Sequence, residues 1–255
     1  MKQLINSTIV FAFLLVTSSC TYTTGEGPLV EKEFAKDAFR DVELDGSFNV
    51  NITQGAQQNV VVNGQENIIE KLKMDVLDGV LYLSLEPGNY MNYELEVDLT
   101  MPRLQTVVLS GSGDIKLGTF VGLDELKISL DGSGDIESEG VLEVNGSATI
   151  DLEGSGDIDL SLKAEKVMVD LDGSGDVDLN GTSSTLKAML DGSGDIKTYK
   201  LQSLRAEVEL EGSGNVKVYA SKSLKASLKG SGDIRYRGEP TVEAKIDGSG
   251  TIEAD

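Results

Sequence analysis

The chain contains no histidine, no tryptophan, a single cysteine and only 4 prolines in 255 residues. Each absence removes a chemistry. Without histidine there is no Ser-His-Asp triad, no Cys-His pair, no HExxH zinc site and no histidine-ligated haem or copper. One cysteine allows neither an internal disulfide nor a thiolate metal cluster. Basic residues are scarce, 22 Lys and Arg against 43 Asp and Glu, for a net charge of -21. Such a chain repels phosphate backbones, and no basic motif interleaved with aromatics offsets this, so nucleic acid is not an expected partner. No uninterrupted apolar run approaches the roughly 20 residues that a spanning helix needs. Glycine is abundant, at 29, but 4 prolines exclude a collagen-like or Pro-rich explanation for it.

The cysteine has a telling place. Lys2 precedes an apolar stretch from Leu4 to Val16 that is broken only at Asn6, Ser7 and Thr8, and then come Thr17, Ser18, Ser19 and Cys20. This is the pattern of a secretory signal peptide over residues 1–19, with small residues where a peptidase would cut. Cys20 resembles the lipidated cysteine of a bacterial lipobox, although Val16 and Thr17 stand where leucine is usual. Residues 20–40 are then the lipidated Cys20 and a tether. The expected location is the cell envelope, as an outer-membrane lipoprotein anchored through Cys20, with membrane contact through that anchor alone. Only Glu26 follows closely as an acid, which leans towards the periplasmic face without deciding between it and the cell surface.

What is present is periodic. The pentad GSG[DNT][IV] begins at Gly111, Gly132, Gly154, Gly173, Gly192, Gly212, Gly230 and Gly248, at spacings of 21, 22, 19, 19, 20, 18 and 18. Eight copies account for 16 of the 29 glycines. Alternating apolar residues flank each pentad: Leu126, Ile128 and Leu130 run into Gly132, Gly134 and Ile136. Period two is the strand signature. A unit this short has no room for a ten-residue helix and cannot bury an apolar face alone, so it must stack on its neighbours. The fold class that follows is all-β, a right-handed parallel β-helix of coils of about 20 residues, with handedness from the general preference of parallel crossovers. Eight coils at ~4.8 Å would extend about 38 Å. Residues 106–255 form this GSGD-repeat helix. Residues 41–105 read as its less regular N-terminal β portion, with DGSFNV at Asp45 to Val50 resembling a degenerate pentad and Asp78-Gly79 marking a hairpin turn.

In a stack, equivalent positions are neighbours. The fourth pentad position is Asp114, Asp135, Asp157, Asp176, Asp195, Asn215, Asp233 and Thr251. Carboxylates ~4.8 Å apart repel by roughly 0.9 kcal/mol even at a water-like dielectric, so six Asp need compensation. Turn chemistry supplies it if each side chain accepts backbone N–H groups. A row of calcium ions would also supply it, supported by the second acidic row Asp131, Glu153, Asp172, Asp191, Glu211 and Asp247. Asn215 and Thr251 keep an oxygen but lose the charge calcium favours, so the residues favour turn chemistry and no cofactor, with calcium as the alternative. The position after each pentad carries Lys116, Glu137, Asp159, Asp178, Lys197, Lys217, Arg235 and Glu253, a banded face. Its basic band, Lys197, Lys217 and Arg235, lies beside Tyr199 and Tyr219, which are expected to stack on adjacent coils. These five residues are the candidate ligand face, for a glycan or an envelope protein. Carboxylate-only cleavage of a polysaccharide is conceivable on such a fold. The acids, however, are the repeat itself, with no isolated pair standing out, and the chain reads as no enzyme. Only three residues follow the last pentad, so an open coil end is a candidate for self-association into a homo-oligomer, the alternative role.

The ordered combination of DGVLYLSLEP, the segment MPRLQTVVLSGSGDI at Met101 to Ile115 and the reiterated GSGDI resembles the envelope family of auto-transporter adhesins with a head GIN domain, common in Bacteroidetes-type bacteria. The resemblance covers about residues 40–255. It implies a right-handed β-helix in the cell envelope with an adhesive or ligand-binding role, and it brings no catalytic residues with it.

Overall fold

The computed structural model describes residues 22–255, so the signal-peptide reading and Cys20 fall outside the described residues. Nineteen of the strands form one continuous sheet, wound as a parallel β-solenoid. The strand preceding each pentad pairs in parallel with its counterpart one coil away: Thr106–Gly111 with Leu126–Gly132, and so on to Ser223–Gly230 with Thr241–Gly248. All eight pentads stay in register along the stack.

Alternation decides what each ladder does. Ile115, Ile136, Ile158, Val177, Ile196, Val216 and Ile234, the fifth residues of the first seven pentads, are all within 1% of complete burial, and Ile252 in the last coil is half-buried. Leu109, Leu130, Leu152, Leu171, Leu190, Leu210 and Leu228 form a parallel buried column. Each such side chain contributes roughly 1.5–3 kcal/mol on burial, so the interior of stacked aliphatic columns drives the winding. Glycine makes the corner between them possible. The first pentad glycine has positive φ in every copy, 148° at Gly132 for example. The second is needed for close approach: a Cβ on Gly156 would lie 1.9 Å from the carbonyl oxygen of Gly134 in the preceding coil. That tightness serves hydrogen bonding. Gly132 carbonyl accepts from Ser155 N–H at 2.9 Å and from Gly156 N–H at 3.2 Å, and the same pair of bonds recurs at each later coil.

The N-terminal portion is stacked out of chain order. Asp41–Gly46 pairs in parallel with Thr106–Gly111, bringing Gly46 opposite Gly111, so DGSFNV does occupy a pentad position. On its other side lies Val80–Leu85, a later segment. Phe48 replaces the second pentad glycine here and is buried, because no further pentad lies beyond it to crowd a side chain. Asp78 and Gly79, with φ of 52° and 84°, turn the antiparallel hairpin of Leu72–Leu77 and Val80–Leu85 as expected. Asn59–Gln65 runs antiparallel to both Leu95–Met101 and Leu29–Phe34. A single helical turn, Glu66–Ile69, buries Ile68 and Ile69 beside it.

Part of the segment read as a tether is therefore strand. Tyr22–Thr24 pairs with Asn89–Met91, and Leu29–Phe34 joins the main sheet. In Leu29–Phe34 the half-buried face is Val30, Lys32 and Phe34, and a lysine in that row hides the alternation; Lys32 Nζ reaches Glu66 Oε1 at 2.7 Å.

Candidate functional site

The fourth-position ladder repeats one local arrangement at six of its seven steps, the step from Asn215 to Asp233 being the exception. Asp135 N–H donates to Asp114 Oδ1 at 3.2 Å, Asp157 N–H to Asp135 Oδ1 at 3.0 Å, and Asp176 N–H to Asp157 Oδ1 at 3.0 Å. Asp195 N–H to Asp176 Oδ1, Asn215 N–H to Asp195 Oδ1 and Thr251 N–H to Asp233 Oδ1 repeat it. The acceptor serves the next coil rather than its own turn, so the ladder staples coil to coil. A hydrogen bond to a charged group contributes about 1.5–3 kcal/mol, more than the ~0.9 kcal/mol repulsion between neighbouring rungs at a water-like dielectric. At the last rung, Thr251 Oγ1 also donates to Asp233 Oδ1 at 2.8 Å, and the Thr251 hydroxyl and amide together lower the Asp233 pKa. Among the described residues no three acidic side chains gather into a metal-ligand set.

The banded face follows the expected register. Lys116 pairs with Glu137 across coils, then Glu137 with Asp159, Asp159 with Asp178, Asp178 with Lys197, Lys197 with Lys217, Lys217 with Arg235 and Arg235 with Glu253. At the boundaries, Lys116 Nζ reaches Glu137 Oε1 at 2.8 Å and Arg235 Nε reaches Glu253 Oε1 at 3.2 Å. Lys197 bypasses Asp178 for Asp176 Oδ2, at 2.6 Å, and that bond raises the lysine's pKa. Lys217, between Lys197 and Arg235, makes no ion pair among the described residues. In the acidic stretch Asp159 has a raised pKa, through burial first and then Asp178 beside it.

The five candidate ligand-face residues come together only in part. Lys197, Tyr199 and Lys217 border one small hollow of about 130 Å³ with Asp178 and Lys200. Arg235 lies next to Lys217 on the following coil, and Tyr219 is opposite Arg237. The tyrosines do not stack: Tyr199 meets Arg237 instead, whose guanidinium carbon sits 4.2 Å from the ring centroid, and among the described residues the ring pair in contact is Tyr90 with Tyr93. The Tyr199 hydroxyl is enclosed with no hydrogen-bond partner, and burial, with Asp255 nearby, raises its pKa.

A larger concavity has no counterpart in the sequence reading. A groove of about 670 Å³ runs along the axis over six consecutive coils. One wall is the ladder Ser147, Lys166, Thr185, Arg205, Ser223 and Thr241. The buried aliphatic column from Ala148 to Leu224 forms its floor. On the opposite wall Lys225 Nζ holds Glu207 Oε1 at 2.6 Å, which lowers the glutamate's pKa. The signal that could have found it is the column of Lys166 and Arg205 with hydroxyls between, which stands seven residues before each pentad glycine from Gly154 to Gly248.

The span that carries the solenoid, the pentad corner and the hairpin matches one family: residues 38–240 fit the model described as "Putative auto-transporter adhesin, head GIN domain". The chain belongs to this family. Head GIN adhesins are associated with the cell envelope or surface, and family and fold together point to a non-enzymatic role. Among curated proteins none matches the chain. Among solved structures, a protein of Parabacteroides distasonis described as a "putative adhesin" is similar at 25% identity and TM-score 0.85, over 92% of this chain and 100% of that one. A second protein of Parabacteroides distasonis, described as a lipid binding protein, gives 24% identity and TM-score 0.86 over 92% and 100%. A protein of Parabacteroides merdae with the same description as the first gives 24% and 0.81 over 92% and 99%. The last two likenesses concern the fold. Among the described residues no helix is long and apolar enough to cross a membrane.

Proposed function

We propose that the protein is a non-enzymatic, lipid-anchored envelope module, held through Cys20, that presents the Lys197–Lys217–Arg235 band and its neighbouring tyrosines to a glycan or an envelope protein. The observation that carries this reading is the band itself: in a chain of net charge -21, three successive coils align Lys197, Lys217 and Arg235, and the middle cation makes no ion pair among the described residues. Family membership supports it. The Tyr199–Arg237 contact gives the band a rigid aromatic edge, since a cation over a ring contributes about 0.5–1 kcal/mol at an exposed site.

Binding of the purified protein to a panel of glycans and envelope polymers, with and without calcium, tests the reading. Specific binding is expected, weakened about three- to tenfold by Lys217→Ala or by the pair Tyr199→Ala and Tyr219→Ala with the fold intact. Loss of binding on chelation would assign the Asp ladder to calcium. Binding indifferent to these residues would remove the band from the site.

A further inference from the structure

We infer that the 670 Å³ groove is a second binding site, for a linear acidic polysaccharide that carries a carboxylate on every second sugar. The wall alternates hydroxyl and cation over its first five rungs: Ser147, Lys166, Thr185, Arg205, Ser223. Lys166 and Arg205 are exposed and make no ion pair among the described residues, whereas Lys187 and Lys225 on the opposite wall face Glu209 at 3.9 Å and Glu207 at 2.6 Å. The two free cations are two rungs apart, ~9.6 Å along the axis. Two unpaired cations on one column of so acidic a molecule select an anion, and their spacing selects a sparsely charged one.

The other polyanions fit less well. Single-stranded nucleic acid carries a charge on every nucleotide, would meet a hydroxyl rather than a cation at alternate rungs, and finds no aromatic stacking platform in the groove. An acidic peptide added as a strand needs free backbone edges, but the wall's strands are paired on both sides from Lys166 to Ser223. Sugar hydroxyls, in contrast, match Ser147, Thr185 and Ser223 as both donors and acceptors. The aliphatic stems of Lys166 and Arg205 over the apolar floor add contact area along the chain.

Affinity electrophoresis and calorimetry at low salt would compare hyaluronan, whose carboxylates alternate with neutral sugars, with polygalacturonate, dextran and poly-glutamate. Hyaluronan is expected to bind the most tightly. Lys166→Ser or Arg205→Ser should each weaken it about tenfold, and the double variant about a hundredfold, because the sites are far enough apart for their effects to add. Thermal midpoints should be unchanged, since neither side chain is buried or paired. Lys217→Ser should leave hyaluronan affinity unaltered. Failure to bind hyaluronan, or full affinity in the double variant, overturns the groove site; if Lys217→Ser alone abolishes binding, the band reading stands while this one falls. Equal or tighter binding of polygalacturonate overturns the alternating-charge match, and equal binding of poly-glutamate reassigns the groove to an acidic protein.

Discussion

The two bends of each coil obey opposite rules. At the pentad corner the glycines pack against the neighbouring coil and six of the seven inter-coil steps place an amide on an Asp Oδ1, and eight copies align without slippage. At the opposite bend the ladder slips. The 22-residue spacing before Gly154 exceeds the following 19 by three, and the register breaks between Glu137 and Val141 and between Val144 and Ser147 absorb those three. A 20-residue spacing before Gly212 against the following 18 is absorbed around Ser203 in the same way. Close backbone approach makes one corner intolerant, whereas the other, free of it at most rungs, accepts length changes just ahead of the groove wall. A solenoid can therefore keep its scaffold in one ladder and vary its surface in the other.

The most damaging way to test that division is Gly156→Ala. The new Cβ would meet the Gly134 carbonyl oxygen at 1.9 Å, backbone against backbone, so two coils must separate. A loss of more than about 3 kcal/mol is expected, read from denaturant midpoints. A single glycine inserted between Glu165 and Lys166 should cost about 1 kcal/mol or less, because it lengthens an exposed bend. Comparable losses for the two changes would erase the distinction between the corners.

A medium-sized effect is expected within the pentad corner. Asp157→Ala leaves the Asp176 amide without its acceptor and should cost about 1 kcal/mol, softened by water at this exposed site. Asp157→Asn retains the oxygen and should stay within about 0.5 kcal/mol. If Asp157→Asn proved as harmful as the alanine and calcium affinity disappeared with it, the ladder would be a metal row rather than a staple.

This contrast also explains what the sequence could reveal. The pentad repeats because each copy meets the same carbonyl at the same distance, so period, fold and the banded face were readable from spacing alone. Gly46 opposite Gly111 was readable for the same reason, through DGSFNV. Stacking order was not: Val80–Leu85 lies outside Asp41–Gly46 through crossovers that leave no local trace. Nor was the fate of Tyr199, covered by an arginine 38 positions later that alternation places beyond the adjacent coil. The groove was hidden for another reason: its wall stands seven residues before each pentad glycine, Ser147 before Gly154 and Lys166 before Gly173, in register with the corner, but whether that row borders a hollow is set by how the coils pack and not by spacing.

The smallest effect concerns charge along a ladder whose geometry is fixed. Asp159 lies between Glu137 and Asp178 on adjacent coils, while Arg235 on the same ladder has Glu253 as partner. Burial and then Asp178 raise the Asp159 pKa in the folded chain, so the folded state holds this proton to higher pH than the unfolded state does. The consequence has a definite sign: stability contributed by Asp159 falls as pH rises from the ordinary aspartate value, ~3.9, through the raised folded value, and the full penalty stands at neutral pH. Asp159→Asn should therefore stabilise the protein at pH 7 by an amount on the order of 1 kcal/mol or less, with the gain vanishing as the pH falls below ~3.9. Glu253→Gln should do the reverse, losing a few tenths of a kcal/mol at pH 7, about what an exposed pair contributes. Thermal midpoints measured across that pH range decide it. A pH-independent gain for Asp159→Asn would mean that side-chain packing, not repulsion between coils, sets the stability of the acidic band.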